Sequence, residues 1–364
     1  MRLLVLGGTR FLGRAIVDEA IRRGYDVTTF SRGLSGEPRP GAEALHGDRT
    51  NSTDLLRVAE RDFDLVIDTS VIAPRHVAAS ARLLAPRVRH YTYVSTLSVY
   101  PDHGEAPVSE ESTVVDGSPD ADGTEETLGY RELKVGSERA VAEALPGRHL
   151  IVRPGLIVGP HENIGRLPWW LTRIARGGTV LAPGDPGRPV RMTDARDLAA
   201  WLVDNTRRGI PGVVNVPGPE GTTFGELLTD CGQATAADRG RAGAAGPDAG
   251  APGGAGAGQG GPGLGGTLQL RWVPDRVLLE AGVEPWSELP MWAPDTPEFA
   301  AVWNVTGDRA LRTGIRYRPL SDTVRDTWAW LRRDVASRGP DTFERRPGIG
   351  LDPAKEQDIL ASLE

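Results

Sequence analysis

Apolar residues in the first part of the chain fall into short unbroken runs, separated by stretches in which they recur at helical spacing. That alternation is the pattern of buried parallel strands and amphipathic helices. Leu3-Leu4-Val5-Leu6 is the first run, and it leads straight into Gly7-Gly8-Thr9-Arg10-Phe11-Leu12-Gly13. Behind this turn, residues 14–21 repeat apolar positions three and four apart, which predicts a helix. Strands are expected at 25–32, Leu65–Asp68 and His90–Val94, and a helix at 75–84. The result is an α/β protein with a doubly wound parallel sheet, whose ligand belongs beyond the C-terminal ends of the strands.

Farther along, residues 168–176 predict an amphipathic helix with a proline in its first turn, and Asp194 and Asp197 are placed to cap a helix starting near Leu198. A strand is expected over 268–273, a helix over 275–281 and a last amphipathic helix over 320–333. Residues 234–266 break the pattern. They are rich in Ala, Gly and Pro and cannot bury enough surface to offset ordering entropy, so a disordered insertion is expected.

Composition narrows the class. With 39% hydrophobic and 25% charged residues the chain is globular in type, and it contains no run of eighteen apolar residues. The first strand begins at or just after Met1, leaving no room for a cleavable signal, so a soluble cytoplasmic protein is expected with no membrane partner. Cys231 is the single cysteine; an internal disulfide is excluded and a metal site is not expected. A net charge of −7 argues against a nucleic-acid partner, and the preference for arginine over lysine reads as codon bias rather than a phosphate-binding surface.

Two features carry chemistry. A strand, a glycine turn and a helix N-terminus together make a pyrophosphate cradle, in which Gly7 permits the turn and Gly13 close packing of the helix. The second feature is Tyr130, four residues before Lys134, one of only two lysines in the chain. On a helix these share a face, and the ammonium draws the phenol's pKa down from about 10 toward a value useful for proton transfer. Between them, residues 101–129 hold nine acids and no lysine or arginine, a solvated cover or a rim that favours uncharged or cationic substrates.

In these motifs the chain resembles the short-chain dehydrogenase/reductase superfamily, in its extended and atypical branch of NAD(P)-dependent epimerase/dehydratase-like proteins. The resemblance rests on the glycine turn, on Tyr-Val-Ser95-Thr96-Leu-Ser-Val-Tyr, on the Tyr130/Lys134 pair and on Arg153-Pro-Gly-Leu-Ile-Val-Gly-Pro160, in that order across residues 1 to about 200. It implies a Rossmann-type NAD(P)-binding domain over 1–160, with a smaller substrate-binding part over 161–335 that returns strands to the main sheet and contains the 234–266 insertion, and a tail over 336–364. It also implies cofactor contacts from Gly7, Thr9, Arg10, Phe11, Leu12, Gly13 and Lys134, with Asp48 at the adenine. Arg10 stands where the family's middle glycine falls, and its guanidinium can grip a phosphate. At the end of the second strand the carboxylate that holds the NAD ribose is replaced by Ser31 and Arg32, which favours NADP, with NAD as the alternative.

The resemblance further implies that Thr96 polarises the substrate oxygen, with Ser95 the near alternative, while Tyr130 delivers the proton. His161 and Trp169 follow the Gly-Pro turn as candidate substrate contacts. The Asp-Glu pair of the family's dehydratases is missing after Thr96, where Leu97 and Ser98 stand. The expectation is an NADPH-dependent carbonyl reductase acting on a small molecule. A nucleotide-sugar epimerase is the enzymic alternative, and a non-catalytic cofactor-binding or RNA-binding relative is the other. Pairing through helices, common in the superfamily, makes a homodimer the prior.

Overall fold

The computed structural model describes residues 1–101, 107–244, 267–338 and 345–363. The chain divides into two units. The first comprises Met1–Ile157, Arg191–Pro219 and Thr296–Arg318; the second comprises Val158–Val190, Glu220–Asp295 and Pro319–Glu364.

The first unit is built on seven strands: β1 (Arg2–Leu6), β2 (Asp26–Ser31), β3 (Ala42–His46), β4 (Leu65–Asp68), β5 (His90–Val94), β6 (His149–Pro154) and β7 (Gly212–Val216). Their order is β7-β6-β5-β4-β1-β2-β3, and every pair is parallel. The chain moves outward from β1 in one direction and then in the other, so the turn after β1 lies at the switch point where such sheets bind ligands. Helices on both faces explain the unbroken apolar runs. Leu3, Val5, Leu65, Ile67, Leu150 and Val152 face one core, shared with helix Phe11–Arg22 and helix Ala195–Arg208. Leu4, Leu6, Val66 and Ile151 face the other, shared with helix Pro74–Leu84 and helix Tyr130–Ala144.

β3 was not legible as a strand. It lies at the sheet edge with only Leu45 buried, so it carries almost no apolar signal. β7 joins the sheet beside β6 as a strand returned to it from within 161–335, and residues 191–219 and 296–318 fall in the first unit. Asp194 caps the helix that begins at Ala195, accepting from the Arg196 N–H, whereas Asp197 binds the backbone and guanidinium of Arg318.

In the second unit, helices Arg166–Ala175, Phe224–Ala244 and Leu320–Arg338 pack together beside a parallel strand pair, Thr179–Pro183 with Gln269–Val273. Residues 234–244 of the expected insertion are helical, and 245–266 lie outside the described residues. The expected tail contains helix Pro353–Ala361, which its buried Glu356 ties to the Arg173 guanidinium (2.7 Å) and the Leu181 N–H (3.0 Å). Periodicity missed it because only two of its residues, Glu356 and Ile359, are buried. Among the described residues no helix is long and apolar enough to cross a membrane.

Candidate active site

The glycine turn is shaped by close approach. Gly7 has φ +110°, and a Cβ there would lie 2.5 Å from Thr69 Oγ1. At Gly13 a Cβ would stand 2.7 Å from the Gly8 nitrogen, so the helix can sit this close to the turn only without a side chain. Arg10 occupies the helix N-cap and makes no capping hydrogen bond, whereas helix Ser52–Ala59 is capped by Asn51. Glycines at the points of closest approach and a helix start without a side-chain cap fit a dinucleotide's phosphates. Thr9 Oγ1 lies 3.3 Å from Ser35 Oγ; Phe11 and Leu12 open the helix, with Leu12 in the core.

The rim continues at the end of β2. Ser31 Oγ accepts from the Gly33 N–H at 3.4 Å, and Arg32 is exposed. Asp48 accepts from both the N–H and the hydroxyl of Thr50, at 2.8 Å each. Those bonds, with the charges of Arg32 and His76, hold its carboxyl below the ordinary range.

Tyr130 is the first residue of helix Tyr130–Ala144, entered through Gly129 at φ +86°. One turn on, Lys134 is only 3% exposed. Its ammonium donates to the Ser70 carbonyl (3.0 Å) and the Val94 carbonyl (2.8 Å), beyond the ends of β4 and at the end of β5, and lies 4.8 Å from the centre of the Tyr93 ring. Burial pulls its pKa down to about 8, against the opposing pull of Asp68 and Glu138. Two of its three protons are thus committed to the scaffold.

Thr96 follows Val94 by two residues. Its hydroxyl accepts from the Ser98 N–H at 3.1 Å and lies 3.2 Å from Ser98 Oγ, capping the short turn Leu97–Val99. Ser95 is turned into the protein and bonds Glu138, which is paired with Arg153 through two bonds of 3.0 and 2.6 Å. Arg153 also reaches the Tyr100 hydroxyl, which donates to Asn215. The structure therefore gives Ser95 a scaffold partner and leaves Thr96 at the strand end.

The acidic connection is anchored where it is described. The Arg75 guanidinium pairs with Asp122 at 2.8 Å, Arg139 donates to the Gly117 carbonyl and Glu110 accepts from the Asn215 N–H. Residues 102–106 of it lie outside the described residues.

His161 and Trp169 belong to the second unit. His161, at φ +68°, has its ring 5.1 Å from that of Trp330. Trp169 is buried edge-on against Trp170 and against Gly350, so its surroundings are those of a core residue. Between them lies Glu162, which sequence reasoning passed over. Fully buried, it accepts from the Arg166 and Leu167 N–H groups, and burial pushes its carboxyl up to about 7. Also unread as site residues were Arg49 and Ser70, in loops after β3 and β4, Asp68 at the end of β4 and Glu138 on the Tyr130–Ala144 helix, with no motif to mark them. Among the described residues no group of three or more His, Cys, Asp or Glu is arranged to hold a metal ion.

A seven-stranded parallel sheet with a glycine turn at its switch point, and a Tyr-x-x-x-Lys helix against the neighbouring strands, defines a dinucleotide-binding protein of the extended short-chain dehydrogenase/reductase type. Residues 3–216 match the NAD dependent epimerase/dehydratase family, and the chain belongs to it. It is 25% identical over 251 residues to the chloroplast stem-loop binding protein of 41 kDa b of Arabidopsis thaliana, covering 64% of this chain and 63% of that protein. The match thus spans less than two thirds of that relative's own length. It is 26% identical over 260 residues to dTDP-6-deoxy-L-talose 4-dehydrogenase (NAD(P)(+)) of Kitasatospora kifunensis, covering 62% of this chain and 77% of that enzyme. Among solved structures, the Bordetella bronchiseptica enzyme WbmH in complex with NAD+ superposes with a TM-score of 0.62 at 15% identity, over 91% of this chain and 98% of that one. UDP-glucose 4-epimerase of Thermotoga maritima, with UDP-glucose, gives 0.63 at 16% identity, over 92% and 100%. These two likenesses define the fold.

Proposed function

We propose that the protein is an NADPH-dependent carbonyl reductase of the extended short-chain type. The observation that carries the reading is Lys134, buried, fixed by two carbonyls at the sheet's C-terminal edge and set one helical turn after Tyr130. A buried ammonium in that position stabilises a phenolate at Tyr130 and so favours release of its proton. The cradle of Gly7 to Gly13 would hold the dinucleotide's phosphates, with Ser31 and Arg32 at the 2′-phosphate, Asp48 at the adenine and the remaining Lys134 proton at a ribose hydroxyl. When bound, the nicotinamide supplies a hydride for the substrate's carbonyl carbon. Tyr130 gives its phenolic proton to the carbonyl oxygen, which Thr96 polarises, and the phenolate left behind is balanced by Lys134.

The talose 4-dehydrogenase among the relatives is named for a reaction of this kind on a sugar nucleotide, which supports the reading. Epimerisation of a nucleotide-linked sugar is the second reading; the family's name supports it, and it would give product isomers without net cofactor turnover. One relative is named for stem-loop binding, but a net charge of −7 favours a small-molecule substrate over a phosphate backbone.

Calorimetric titration with NADPH and with NADH, followed by absorbance loss with a panel of carbonyl compounds, tests the proposal. Tyr130→Phe is expected to lower kcat/KM by about 100-fold or more while cofactor affinity is retained. Turnover within twofold of wild type would remove Tyr130 from the mechanism.

A further inference from the structure

Beneath Lys134 lies a buried ion pair that no motif announces. Asp68, at the end of β4, is fully buried, and Arg49 is nearly so. The Arg49 guanidinium meets the Asp68 carboxylate through two parallel bonds of 2.9 and 2.6 Å. The Tyr91 hydroxyl adds a third bond to the carboxylate at 2.7 Å, and Arg49 Nε donates to Ser80 Oγ at 2.6 Å. Burial opposes both charges, yet the pairing prevails, holding the Asp68 carboxyl below its ordinary value and the Arg49 guanidinium above it.

The pair converges on Ser70. Its N–H donates to Asp68 Oδ1 at 3.0 Å, its hydroxyl receives Arg49 Nη1 at 2.6 Å, and its carbonyl receives the Lys134 ammonium at 3.0 Å. One residue thus has its backbone nitrogen and side chain fixed by the ion pair and its backbone oxygen committed to the lysine. We propose that the buried Arg49–Asp68 pair is a positioning device for Lys134, acting through Ser70 and through the negative charge of Asp68. Its meaning for catalysis rests on the reading of Tyr130 and Lys134 given above; the geometry does not depend on that reading.

The groups that act on Lys134 come from four places. They are Asp68 and the Ser70 carbonyl at the end of β4, Tyr93 and the Val94 carbonyl on β5, Arg49 from the loop after β3, and Glu138 on the lysine's own helix. Asp68 and Glu138 favour the charged ammonium, and Arg49 disfavours it. Loss of the Asp68 charge alone leaves the lysine facing Arg49 with weaker compensation, so it should give up its proton at lower pH.

The chain's composition makes this measurable. Lys134 and Lys355 are its only lysines, so protein labelled with 13C at lysine Cε gives two signals, and Lys355→Arg assigns them. The Lys134 midpoint in Asp68→Asn is expected about one pH unit or more below wild type, while that of Lys355 stays in place. An unchanged Lys134 midpoint overturns the proposal. If Asp68→Asn does not fold because Arg49 is left unpaired, Arg49→Gln/Asp68→Asn leaves no lone buried charge. There the Lys134 midpoint should again lie below wild type by a smaller margin, and a midpoint at or above wild type overturns the proposal. The readout needs no turnover. Failure of the positioning role is therefore distinct from failure of the reductase reading, which Tyr130→Phe decides.

Discussion

Lys134 shows at the scale of one residue how burial becomes chemistry. Its pKa, brought down from 10.5 to about 8 chiefly by burial, leaves the ammonium charged at neutral pH, as the proposed role beside a Tyr130 phenolate requires. Above that value the charge is lost, so kcat/KM for the proposed carbonyl reduction should fall along a basic limb with its midpoint near 8, measured between pH 6 and 9.5. The effect on stability has the opposite sign. Between about 8 and 10.5 the unfolded chain holds a proton that the folded chain has shed, so this residue's contribution to stability improves as pH rises through that window. Arg32 is the residue on which cofactor choice is proposed to turn. Arg32→Glu should weaken NADPH binding by about tenfold or more and NADH binding far less, because only the 2′-phosphate loses a charge-assisted contact. Equal losses in calorimetry would remove that assignment.

At the scale of an element, the turn from β1 into helix Phe11–Arg22 depends on what its glycines leave out. A Cβ on Gly13 would meet two backbone atoms of Gly8, at 2.7 and 3.0 Å, and backbone cannot swing aside as a flexible side chain can. Gly13→Ala should therefore push the helix from the turn, costing about 1–3 kcal/mol of stability in denaturant titration. The proposed phosphate cradle would open with it, so weaker binding of either dinucleotide should accompany the loss. The Tyr130/Lys134 offset puts the two on one face if the segment is helical, but it carries no sign that the second turn is buried. Leu133, Lys134, Val135, Gly136, Ser137 and Glu138 are all buried, an unbroken stretch in which polar and apolar residues alike are covered. A periodicity argument expects the polar ones to face water. Here Lys134 finds backbone carbonyls at the strand ends and Glu138 finds Arg153, so polar partners take the place of solvent.

At the scale of the whole molecule, the chain passes between its two units five times, and the second is assembled from three separate segments. Contacts between distant segments then decide whether it holds together. Glu356, from the last helix, accepts from Arg173 and from the Leu181 N–H, and both partners belong to earlier parts of that unit. Glu356→Ala leaves a largely buried guanidinium without its counter-charge, held only by the Gly177 and Thr179 carbonyls, and a buried amide without its acceptor, and should cost about 3 kcal/mol in urea denaturation. A loss below about 1 kcal/mol would mean that the last helix contributes little to the fold. What the sequence determined by itself was local. The buried runs at β1, β4 and β5, the glycine turn, the helical spacing of Tyr130 and Lys134 and the family those motifs define all follow from short-range periodicity and from residues fixed relative to one another by a single element. Tertiary structure alone decided which partners meet across the fold. Ser70 and Lys134 are 64 positions apart, Arg49 and Asp68 are 19 apart, and Glu356 and Arg173 are 183 apart. No periodicity spans such separations: whether a polar side chain becomes a solvated surface group or a buried, charged part of a site depends on which strand end it meets when the sheet is assembled.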